Sequence, residues 1–192
     1  MSDGIRLSAQ LWLPEQAEHA SVPAILEFIP YRKRDGVALR DHANHSWFAA
    51  RGYACVRPDM RGHGDSEGLM TDEYSPREQE DAVEVIEWIA DQKWCTGAVG
   101  MMGISWGGIA SLQAAVRQPP ALRAIIPVSA SVDRYYDDGG YLVGGYPGQG
   151  LGWGAVMFGY CVRPPDPAVV GDAWRAMWRE RFDNTPMFLA SW

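Results

Sequence analysis

Ser105 lies in the run Gly103-Ile104-Ser105-Trp106-Gly107-Gly108, a G-x-S-x-G pattern extended by one glycine. The pattern means little alone, and much where a strand turns sharply into a helix. Residues 98–104 are an apolar run of strand length, and residues 106–118 read as a small-residue helix ended by Pro119-Pro120. Such a corner strains its central residue and brings neighbouring segments close, which glycine at 103, 107 and 108 relieves. Ser105 would then present its hydroxyl at the carboxyl edge of a sheet, above a helix N-terminus. The backbone N–H of Trp106 would point to where an oxyanion forms. That is the equipment for nucleophilic attack on a carbonyl. Other glycine-dependent chemistries fit less well. A phosphate loop needs Gly-Lys-Ser/Thr, which is absent from the sequence. A dinucleotide-binding oxidoreductase, the distant alternative, needs G-x-G-x-x-G, and Gly62-His63-Gly64 with Gly68 has the wrong spacing.

The elements that must position this corner can be read around it. Residues 4–13 alternate apolar and polar, as in a half-exposed strand, and residues 22–30 form an apolar strand ending at Pro30-Tyr31 and a basic loop, 32–35. A short helix is expected over 46–52, stopped by Gly52, then a strand at 53–58 and a loop over 59–68. Residues 75–92 give the clearest helix. Ser75 caps it, Pro76 suits its first turn and Glu78 completes a capping box. Its apolar face is Ala82, Val83, Ile86, Ile89 and Ala90; the row Glu80, Glu84, Glu87 and Asp91 is a solvated face, not a metal site. A strand at 122–130 follows the 106–118 helix. Alternating strands and helices with apolar strands predict an α/β fold around a mostly parallel, doubly wound sheet covered on both faces. From residue 132 the rhythm breaks. Residues 139–159 are rich in glycine, tyrosine and tryptophan, aromatics that could wall a pocket or simply pack, and 170–182 are amphipathic. The expected division is a core over 1–131 and the start of a cap over 132–192.

Composition narrows the classes. The 192 residues are 47% hydrophobic and 21% charged, as in a globular domain or part of one. A net charge of −7 with no Lys/Arg-rich run argues against nucleic-acid binding. No stretch of 18 apolar residues spans a membrane, and residues 1–14 lack a secretory pattern, so the chain reads as cytoplasmic. Cys55, Cys95 and Cys161 have no metal-ligand spacing and read as buried, reduced thiols; no metal or cofactor is expected.

Three segments in order, Pro30-Tyr31-Arg32-Lys33, the run Asp59 to Gly68, and Gly103 to Gly108, resemble the cocaine esterase and X-prolyl dipeptidyl-peptidase group of α/β-hydrolases. The likeness extends through Val132-Asp133-Arg134-Tyr135 to the glycine- and tryptophan-rich region. It implies an α/β-hydrolase fold and a serine acyl hydrolase, with Ser105 forming an acyl-enzyme and the Tyr31 hydroxyl joining the Trp106 N–H in the oxyanion hole. Substrates would be small esters, amides or short peptides. Arg61, Asp65, Ser66 and Glu67 are expected to brace their loop. The departure from the pattern is the base. The fold requires serine, acid and histidine in that order, yet His19, His42, His45 and His63 all precede Ser105. The family's acid and histidine follow later strands, so the chain reads as truncated inside the cap. Asp133 and His63 are the weak internal substitutes, and a non-catalytic remnant or binding module is the second reading. An exposed apolar edge strand would make the isolated chain dimeric or aggregation-prone.

Overall fold

The computed structural model describes residues 1–138 and 149–187. Five strands form one sheet: β1 (Ala9–Trp12), β2 (Val22–Leu26), β3 (Ala54–Pro58), β4 (Cys95–Ile104) and β5 (Leu122–Val128), in the order β1-β3-β2-β4-β5. β1 runs antiparallel to β3, and the remaining neighbours are parallel. The helices of this part are α1 (Ala38–Ala49), α2 (Pro76–Ala90) and α3 (Trp106–Arg117). α2 and α3 pack on each other and on β4, whereas α1 packs on β1 and β3. Three further helices follow: α4 (Gln149–Val162), α5 (Pro167–Val170) and α6 (Trp174–Asn184).

The order of strands decides where chemistry can sit. From β2 the chain crosses through α1 to β3 on one side, and from β3 it returns through α2 to β4 on the other. The junction of β2 and β4 is therefore the switch point, where an open α/β sheet leaves a crevice beyond its carboxyl ends. Tyr31 follows β2 and Ser105 follows β4, so both reach that crevice. Val22, Ala24, Leu26, Phe28, Val56, Val99 and Met101 fill the core around these strands. On α2 the buried face is Ala82, Val85, Ile86 and Ile89, with Val83 only half-buried, and each large aliphatic there contributes about 1.5–3 kcal/mol.

Several expectations need correction. The first strand is only Ala9–Trp12, because residues 6 and 8 are engaged by the loop after β3: Glu67 N–H donates to Arg6 O and Ser8 N–H to Ser66 Oγ. The helix expected at 46–52 starts at Ala38 instead. Its buried face carries Asp41 and His45, whose polarity hides the helical period, and ion pairs make their burial tolerable. The acidic row on α2 is not wholly solvated either, since Glu84 accepts from the hydroxyl and backbone N–H of Ser2 and from Arg77. The basic loop after β2 turns inward at Lys33, which is buried. Finally, the sheet is not covered throughout. Among the described residues β5 is an edge strand, and its Ile126 and Val128 stand 57% and 44% exposed.

Candidate active site

Ser105 is exposed and sits at the corner between β4 and α3 with φ 55° and ψ −114°, a conformation unusual for any residue but glycine. The corner is held from both sides: Ser105 N–H donates to Val128 O at 2.9 Å, and Ser105 O accepts the N–H of Ile109 at 3.0 Å. Crowding explains the glycines. A Cβ on Gly103 would stand 2.6 Å from the Gly107 Cα, and one on Gly107 would stand 2.7 Å from the Ile29 side chain.

Tyr31 reaches Ser105. The Ser105 hydroxyl is near enough to act on the Tyr31 phenol and to lower its pKa, but burial outweighs it and pushes the phenol up to about 12. The phenol therefore keeps its proton at neutral pH and can donate. Its ring packs edge-on against Trp153, centroids 6.4 Å apart, and against Tyr160 at 5.8 Å. Both partners belong to α4, so Trp153 of the glycine-rich region packs beside Tyr31, while residues 139–148 of that region lie outside the described residues. Behind the corner, the Trp106 indole is fully buried. Its ring lies 4.4 Å from Tyr74 and its Nε1–H donates to Glu78 Oε1 at 2.7 Å. Ser75 caps α2 as the sequence indicates, but the box is not closed, because the Glu78 carboxyl accepts from the Tyr74 N–H instead of the Ser75 N–H. The bond from Glu78 to Trp106, 28 positions away, was not legible in the sequence.

The loop over 59–68 takes up its own charges. Asp59 accepts from the Lys33 backbone at 2.7 Å, from Lys33 Nζ at 2.6 Å and from Asp65 N–H at 3.0 Å. Lys33 Nζ also bonds Asp65 at 2.8 Å and Ser8 Oγ at 3.0 Å. Burial alone would raise the Asp65 carboxyl, yet Lys33 and the Asp166 N–H hold it below the usual range. Arg61 forms two bonds to Asp81, both 2.7 Å, and Ser66 Oγ–H donates to Asp59 O. Arg181, a buried residue of α6, donates to Gly64 O and Ser66 O. Every polar member of the motif is thus spent on bracing, as expected for Arg61, Asp65, Ser66 and Glu67.

Neither internal substitute for the triad is placed to act. Both ring nitrogens of His63 are occupied, Nδ1 with Arg61 O at 3.0 Å and Nε2 with the Cys161 thiol at 3.4 Å. Burial drives its pKa down to about 4. Asp133 accepts the backbone N–H groups of Tyr135 and Tyr136, closing a local turn. His45 bonds Glu27, and His42 accepts from Trp12, so no described histidine partners Ser105. The buried cluster of Glu27, Asp41 and His45 has three potential metal ligands within 4.8 Å. Its carboxylates already pair with Arg40 at 2.8 and 2.6 Å and with Arg57 at 3.0 Å, so cationic side chains fill the place of an ion.

Comparison with known proteins identifies the family and the fold. The family model described as X-Pro dipeptidyl-peptidase (S15 family) matches residues 3–192. The cocaine esterase of Rhodococcus sp. (strain MB1 Bresler) is 38% identical over 165 residues, covering 82% of this chain and 27% of that protein. A putative Xaa-Pro dipeptidyl-peptidase of Bacillus anthracis is 29% identical over 184 residues, covering 75% of this chain and 30% of the relative. A CocE/NonD family hydrolase from Staphylococcus aureus superposes with a TM-score of 0.71 at 25% identity, covering 96% of this chain and 35% of that one. The chain thus spans roughly a third or less of each of these proteins. It has the α/β-hydrolase fold and belongs to the X-Pro dipeptidyl-peptidase S15 family of hydrolases.

Proposed function

We propose that this chain carries the nucleophile and the oxyanion-binding groups of a serine acyl hydrolase that works through an acyl-enzyme. The observation that supports this best is the exposed Ser105 at a strained strand–helix corner, with the Tyr31 phenol beside it. Ser105 Oγ attacks an ester or amide carbonyl. The Tyr31 O–H and the Trp106 N–H receive the developing oxyanion; by the family resemblance a histidine outside these residues takes the Ser105 proton and passes it to the leaving group. Water then releases the acyl group. Small esters, amides or short peptides fit the aromatic surroundings of Tyr31, Trp153 and Tyr160. We assign residues 1–131 to the core and 132–192 to the start of a cap.

The occupied nitrogens of His63 favour a second reading for the isolated chain, a binding remnant without turnover. A fluorophosphonate probe, read by peptide mass on this chain and on Ser105→Ala, separates the two. Stoichiometric adduct on Ser105, absent from the variant, supports an activated serine. Folded protein that takes up no label supports the remnant. Association through the β5 edge and a cytoplasmic location belong to the same reading. Sedimentation checks the first, and a monodisperse monomer would remove it. Among the described residues no helix is long and apolar enough to cross a membrane.

A further inference from the structure

We propose that Glu78 is a positioning residue for the oxyanion donor, holding the Trp106 backbone N–H in place through the Trp106 indole. This rests on the reading of Ser105 and Trp106 given above. Capping explains only part of what Glu78 does. Its own N–H donates to Ser75 Oγ at 3.2 Å, which caps α2. Its carboxyl, however, leaves the helix. Oε1 accepts the Trp106 indole N–H at 2.7 Å and Oε2 accepts the Tyr74 backbone N–H at 2.9 Å. The indole is fully buried, so the carboxyl stands where water cannot replace it.

Tyr74 closes the clamp from the other side. It adopts φ 53°, strained for an aromatic residue, and its ring lies against the indole with the Arg134 guanidinium 4.5 Å over its centroid. One carboxyl thus fixes the indole at its N–H and fixes the turn that covers the indole face. Trp106 is the first residue of α3 and adjoins the strained corner, so an indole pinned at its N–H and its face restrains the Trp106 Cα and with it the backbone N–H attached there. An oxyanion donor misplaced by a fraction of an ångström loses much of its effect.

Burial pushes the Glu78 carboxyl up to about 8, against the two N–H donors that favour its charge. The titratable and charged groups facing it are Asp81 and Arg77 of its own helix, Arg61, His63 and Asp72 of the preceding loop, and Glu73. Ionisation of Glu78 strengthens its bond to the indole, so the state of Trp106 should follow it.

The test uses the full chain with ¹⁵N-labelled tryptophan, the Trp106 resonances being assigned with Trp106→Phe. Between roughly pH 6 and pH 10, a range spanning a raised carboxyl, the indole and backbone N–H signals of Trp106 should titrate together, and should lose that titration in Glu78→Gln. A backbone signal indifferent to pH, or a titration that survives Glu78→Gln, would overturn the proposal. The rate of phosphonylation of Ser105 gives a second readout. Folded Glu78→Ala should react roughly tenfold or more slowly, Glu78→Gln should restore most of that loss, and Glu78→Ala should add nothing in a Trp106→Phe background. Folded Glu78→Ala at the wild-type rate, or effects that multiply, would count equally against it. If wild-type Ser105 takes no label at all, the hydrolase reading fails, and the resonance titration still decides the role of Glu78.

Discussion

Two glycine-bearing loops leave the carboxyl ends of β3 and β4, the parallel strands that flank β2, and they use their residues in opposite ways. The segment 59–68 after β3 holds five charged or hydroxyl side chains, Asp59, Arg61, Asp65, Ser66 and Glu67, and each is bonded to protein groups. The corner at 103–108 holds one hydroxyl, exposed, backed by a strained backbone and met by Tyr31. The difference teaches where reactivity is stored. A charged side chain that is buried and paired stabilises its surroundings and has nothing left for a ligand. A hydroxyl kept out of such a network, at a position the fold holds rigid, is available. Substitutions of the charged residues in the first loop should therefore change stability and leave the rate of Ser105 labelling alone, while substitution of Ser105 or of Tyr31 beside it should do the reverse.

The largest expected effect lies beside the first loop. Lys33→Met leaves Asp59 buried without its cation and Asp65 with only the half-exposed Arg34 at 3.4 Å, and should destabilise the chain by about 3–5 kcal/mol. Urea unfolding measures it. A loss below about 1 kcal/mol, the range of an exposed pair, would break the comparison, because the loop would then not be a buried ionic brace. Next comes Tyr31→Phe. Removing one oxyanion donor should slow phosphonylation of Ser105 by roughly 10²–10³-fold. The half-buried ring is retained, so the unfolding midpoint should barely move. A variant that labels at the wild-type rate would make Tyr31 a wall of the crevice and not a donor.

How much of this was legible in the sequence follows from the range over which each interaction acts. The corner at Ser105 and the cap of α2 were readable because Gly103, Gly107, Ser75 and Glu78 act within a few residues of one another. α1 was half-hidden, since Asp41 and His45 occupy positions where apolar residues mark a buried face. Lys33 reads in the sequence only as part of a basic loop, and the arrival of Asp59 and Asp65 from the segment after β3 turns it inward. The bonds from Glu78 to Trp106 and from Arg181 to Gly64 join segments whose encounter depends on the whole sheet. No local pattern announces them. The family resemblance supplied Tyr31, which composition and spacing alone would have left as a turn aromatic.

The effect that is smallest over any one pH unit concerns His63, which belongs to the first loop. Its ring is fully buried, with a folded pKa near 4 against 6.5 when exposed. Between these values the unfolded chain binds a proton that the folded chain refuses, so the contribution of neutral His63 is complete above about pH 6.5 and is lost as pH falls toward 4. The loss from this one group is at most about 1.4 kcal/mol per pH unit. In His63→Gln the wild-type slope of stability against pH should flatten over that window, as denaturant melts at several pH values would show. The labelling rate of Ser105 should keep its pH profile, because His63 spends one nitrogen on Arg61 O and the other on Cys161. Were labelling instead to vanish with His63, the ring would have to leave those partners to serve as a base, and the division between a bracing loop and a reactive corner would fail at the residue that seemed best buried.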